Sequence, residues 1–68
     1  MVVFREQDID WRIVEHGYTQ EMLIGKLPCG IDSASFYKKG ICETYNYNRA
    51  KKRVIKKLKS LVKSANKL

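Results

Sequence analysis

The pattern of hydrophobic positions along this chain is sharpest near its end. In the last third they recur at helical spacing. At about 100° per residue, Tyr47, Ala50, Val54, Ile55, Leu58, Leu61, Val62, Ala65 and Leu68 share an arc of roughly 140°. Lys52, Arg53, Lys56, Lys57, Lys59, Lys63 and Lys67 occupy the rest of the wheel. Only Lys51 intrudes on the stripe, where its long stem can snorkel. The pattern predicts a long amphipathic helix over 46–68. Asn46 would cap it and Tyr45 would pack over its start; the pair Tyr45 and Tyr47 could alternatively offer stacking platforms to bases.

Upstream the apolar runs are shorter, and the spacing predicts three further helices. Asp8 offers a cap, Ile9 and Ile13 share a face at i, i+4 with Trp11 and Val14 beside them, and Gly17 suits a left-handed terminus. Thr19 caps the second helix, Gln20 and Glu21 fill its first turn, and Met22, Leu23, Ile24 and Leu27 supply its buried side. Gly25 weakens that helix and Pro28 stops it. After a turn at Gly30, Asp32 or Ser33 caps a third helix through Ala34, Phe36 and Tyr37, closed by Gly40. Val2 to Phe4, β-branched and aromatic, suit a short N-terminal strand or a cover for the core. The expectation is a single mainly α domain over 1–68: a small bundle of about four helices, the last long, basic and amphipathic.

Size narrows the chemistry. A chain of 68 residues buries only roughly 60% of its unfolded surface, leaving a thin core and little room for a catalytic cleft. Hydrophobic content of 44% with 31% charge still favours folding over disorder. Asp8 and Asp10 fall on different helix faces, Ser33 and Ser35 have no nearby base, and His16, a surface or cap residue on this reading, has no companion metal ligands. No phosphate-cradling glycine loop, zinc spacing or nucleophile motif is present. The expectation is a non-enzymatic protein without cofactor or metal. Cys29 and Cys42 read as free buried thiols, with a bridge between them left open. No apolar run approaches the roughly 20 residues of a membrane span, and Met1 is followed by no long apolar stretch, so a cytoplasmic location is expected.

Charge is divided sharply. From Ile41 to Leu68 there are nine Lys/Arg against one acid, Glu43, a net +8; from Met1 to Gly40 there are five against six acids, a net −1. Three readings compete for the basic helix. It can be a merely solvated face. It can attract nucleic acid, where each neutralised phosphate releases counterions. Or it can dock on a membrane surface or an acidic protein. One apolar stripe cannot face both a core and a bilayer, which disfavours the membrane. Arg49 and Arg53 are the only arginines of the tail; its lysines suit backbone attraction better than base reading. The candidate phosphate contacts are Arg49, Lys52, Arg53, Lys56, Lys57, Lys59 and Lys63.

The stretch Gly17-Tyr18-Thr19-Gln20-Glu21-Met22-Leu23-Ile24-Gly25-Lys26-Leu27, followed by Gly30-Ile31-Asp32-Ser33-Ala34-Ser35, resembles the helix-turn-helix of Cro and lambda-repressor type DNA-binding domains. The resemblance implies a helix-turn-helix-like unit over 8–40. In it Gln20 would approach a phosphate, Ser33, Ser35 and Tyr37 would face the major groove, and Lys38 and Lys39 would flank it on the backbone. The functional expectation is a small DNA-binding regulator, of the size found in viruses and plasmids, acting on duplex DNA and open to homodimer formation. The rival is a basic inhibitor or assembly component docking on an acidic protein surface.

Overall fold

The computed structural model describes residues 4–67. It corrects the four-helix expectation. Strands β1 (Asp10–His16), β2 (Gln20–Lys26) and β3 (Asp32–Lys38) form one antiparallel sheet in the order β1-β2-β3, and a single long helix, α1 (Glu43–Asn66), follows. Residues 8–40 therefore hold a three-stranded meander, and the stretch resembling a helix-turn-helix folds as β2 and β3 with their turn. Asp8, read as a helix cap, instead accepts the Arg5 N–H at 3.1 Å in one 3-10 turn, Glu6–Asp8. Of the proposed N-terminal strand, Val2 and Val3 lie outside the described residues; Phe4 is half-buried against the core and outside any strand.

The physical reason lies in parity. Ile9 and Ile13 are four apart, an even spacing that satisfies a strand face as well as a helix face. The register shows which pattern governs: Trp11, Gly25 and Ser33 lie side by side, as do Ile13, Leu23 and Ser35, and Glu15, Glu21 and Tyr37. These alternate residues form the face toward α1. Gly17 does end an element, but it closes the β1–β2 hairpin at φ +78, a left-handed value that costs glycine little. Gly25 is not a weak point of a helix. It lies in the central strand against α1, and a Cβ there would stand 2.9 Å from Val54 Cγ1 and 3.0 Å from both Ile9 Cγ2 and Trp11 Cζ3.

The helix buries Ala50, Val54, Leu58 and Val62, one residue per turn, with Tyr47, Lys51, Ile55 and Leu61 half-buried on the flanks. Leu68 lies outside the described residues, and Ala65 is exposed. One cluster joins Ile9, Leu27, Val54, Leu58 and Val62 with Phe4, Trp11, Ile31 and Ile55 around it; a second joins Leu23, Tyr37 and Ala50 with Trp11 and Tyr47. Lys51 lays its ammonium 5.4 Å from the Trp11 ring centroid, as an amphipathic side chain at a core margin does. The helix starts at Glu43, behind a left-handed Cys42 (φ 60), so Asn46 is not its cap. Both cysteines are free, and both are exposed rather than buried.

Among the described residues, no second layer covers the opposite face of the sheet. Its rows are Asp10–Lys26–Asp32, then Arg12–Ile24–Ala34, then Val14–Met22–Phe36, then His16–Gln20–Lys38. A three-stranded sheet backed by one helix leaves this face to water or to a partner.

Candidate functional site

The structure separates the residues that sequence reasoning grouped as one recognition unit. Tyr37 is buried under α1, with its phenol donating to Glu21 Oε2 at 2.9 Å. It cannot reach a DNA groove. Burial, and then that bond and the Glu21 charge, push its pKa up from 10.0 to about 12. Ser33 and Ser35 lie on the same inward face, half-buried at the β3 edge. Lys39 is held between Glu15 and Glu21, its Nζ 3.6 Å from a carboxylate oxygen of each. Gln20 and Lys38, by contrast, face each other across β2 and β3 on the bare side of the sheet.

A different site emerges where the β3 edge meets the first half of α1. Arg53 Nε donates to Ser35 Oγ at 2.9 Å, and its Nη2 donates to the Phe36 carbonyl at 3.0 Å. Asn46 Nδ2 donates to the Lys38 carbonyl at 3.3 Å. The helix thus satisfies carbonyls of the edge strand, blunting a surface that would otherwise invite another strand. These bonds fix the Arg53 guanidinium while leaving donors of its fork uncommitted. Arg49, one turn earlier, sits 5.7 Å from the Tyr45 ring centroid. Gln20, Phe36, Tyr37, Lys38, Asn46, Arg49 and Arg53 line one open groove around this edge. Both arginines of the tail and a lysine of the sheet therefore converge. At about 100° per residue, Lys57 follows Arg53 on the same flank of the helix.

Beyond the groove, Lys52, Lys56, Lys57, Lys59 and Lys63 stand exposed on α1. Among the described residues, no cation of the helix has an acidic partner; the three ion pairs are Arg5–Asp8, Lys39–Glu15 and Lys39–Glu21. His16, at the end of β1, meets Phe36 over the bare face with ring centroids 4.8 Å apart and a 51° tilt. Tyr47, offered above as a stacking platform, packs edge-on to Tyr37 at 5.6 Å instead, while Tyr45 is exposed. Sequence reading missed Phe36 and Asn46 as site residues; the strand register of 32–38 is what would have placed Phe36 at this edge, and the packing of α1 on β3 is what brings Asn46 to it.

Among the described residues, no group of three or more His, Cys, Asp or Glu is placed to hold a metal ion, and no helix is long and apolar enough to cross a membrane. What fold and site define is a small α+β domain with a cationic groove along one sheet edge. No protein-family model matches the chain, and neither a curated protein nor a solved structure does.

Proposed function

We propose that this protein binds nucleic acid, holding the phosphate backbone against the β3 edge and the adjoining cationic flank of α1. The observation that carries the reading is the convergence of Arg49, Arg53 and Lys38 in one groove, with Arg53 anchored to the edge strand. Anchoring matters because a fixed guanidinium loses less freedom when it grips a phosphate. The exposed lysines then extend the field along the helix and favour encounter with a polyanion. The apolar stripe of α1 is taken up by the core, so a bilayer would have to compete with the fold for it. Base reading by Ser33, Ser35 and Tyr37 is not part of this proposal, because they face the helix.

The test is binding of a labelled oligonucleotide across a salt series. Affinity should fall linearly in log–log coordinates, with each cation removed reducing the slope by about 0.7 for a single strand or about 0.9 for a duplex. Arg49→Gln and Lys38→Gln should each do so, as should Lys57→Gln. Arg53→Lys should keep the slope but lose affinity, since it retains the charge and not the fork. Absence of binding at low salt, or capture of an acidic protein that survives nuclease treatment with no oligonucleotide bound, would remove the proposal.

A further inference from the structure

The bare face of the sheet gives the cationic groove a neighbour. Phe36 lies at the β3 edge, is 47% exposed, and also lines the groove that holds Arg49, Arg53 and Lys38. Its ring is turned over the outer face toward His16, which reaches across from β1, so two aromatic rings form a platform above the central strand. Val14 and Met22 share the Phe36 row and add apolar and thioether surface. Lys38 and Gln20 border this platform at the end near the groove, while at the opposite end Asp10 and Asp32 flank Lys26, with Arg12 in the next row, so the charges there balance.

We infer that the platform receives unpaired bases, and that the ligand is single-stranded nucleic acid whose backbone follows the β3 edge. This rests on the nucleic-acid reading above and names the form of the ligand. Stacking on an aromatic ring needs an exposed base face, and a duplex keeps its base faces inside. A side chain at a sheet edge, half-exposed beside phosphate-binding cations, supplies that contact; aromatic side chains of open sheets hold single strands in this way. The cations of the groove hold the backbone at the β3 edge, so bases point across the face from Phe36 toward His16. The occupant follows from this complementarity: anion at the Arg49, Arg53 and Lys38 corner, uncharged π-surface over the rings.

The experiment compares a labelled twelve-residue oligothymidylate with the same strand annealed to its complement, by fluorescence anisotropy at two salt concentrations, for the parent chain, Phe36→Ala and Phe36→Trp. Phe36 is on the outer face, so the alanine variant should fold, which circular dichroism checks; the tryptophan variant tests the site without deleting the ring. The expected result is tighter binding of the single strand. Phe36→Ala should weaken it roughly 5- to 100-fold with an unchanged salt slope, and Phe36→Trp should retain it. If the alanine variant binds the single strand as the parent does, or if the duplex is preferred, the stacking inference falls while nucleic-acid binding stands. If neither form binds at low salt, the functional reading falls with it. If Phe36→Ala instead dissociates a dimer and leaves oligonucleotide affinity unchanged, the face belongs to a second copy and the inference is overturned.

Discussion

Gly25 and Tyr37 show how closely the inner face of the sheet is fitted to the helix. At Gly25 a Cβ has no space: Val54 Cγ1 would lie at 2.9 Å. Gly25→Ala forces either α1 or Trp11 to shift, and overpacking of this kind costs about 1–3 kcal/mol. Thermal unfolding should record a fall in Tm on the order of 10 °C for a domain of this size. An unchanged Tm would show that the helix sits farther from β2. At Tyr37 the fold holds the protonated phenol, buried and donating to Glu21. The unfolded chain gives up that proton near 10 and the folded chain near 12, so the unfolded state binds fewer protons between those values. Stability from this group is complete below about 10 and declines as pH rises toward about 12. Tyr37→Phe should abolish that part of the decline and cost about 1.5 kcal/mol at neutral pH through the lost bond to a carboxylate. The denaturation midpoint of the two proteins, followed from pH 8 to 12, checks both statements.

At the scale of elements, α1 was legible and the strands were not. Twenty-four residues of helix repeat the same spacing over more than six turns, enough to exclude a period of two. The strands are seven residues each, and their decisive positions carry no hydrophobic signal: Gly25, Ser33 and Ser35 form much of the inward face. Small residues there let the helix approach, but in the sequence Gly25 read as a weak point of a helix, Ser33 as a cap and Ser35 as a groove contact. On β1 the pattern is weaker still, since Ile13 faces α1's side yet stays 53% exposed at a margin the helix does not cover. The tail's cationic flank could be read from the wheel; its meeting with Phe36 and Lys38 depends on long-range register, which local spacing does not encode. The helix also carries a consequence of its own. Like charges at i, i+4, such as Arg49 with Arg53, Lys52 with Lys56 and Lys59 with Lys63, repel by a few tenths of a kcal/mol each. Screening shortens to about 10 Å at 0.1 M salt. Tm should therefore rise as sodium chloride is increased from 20 to 200 mM; a fall would mean that ion pairs, not repulsion, dominate the electrostatics of the fold.

For the whole molecule, the two faces of the sheet divide the labour. One face, with α1, spends the chain's apolar residues on a core that sequence reading assigned to four helices. The other has no cover among the described residues and presents aromatic and apolar residues bordered by a cationic edge. A thin domain gains from any ligand that binds only the folded state, so oligonucleotide should also raise its stability. The most direct test of the account is an amide chemical-shift map of ¹⁵N-labelled protein titrated with single-stranded oligothymidylate at low salt. Shifts should concentrate at Phe36, Lys38, Asn46, Arg49 and Arg53, with His16 joining them across the bare face and the Asp10 end of β1 unmoved. A map centred on Asp10 to Arg12, or a spectrum that does not change at all, would contradict it.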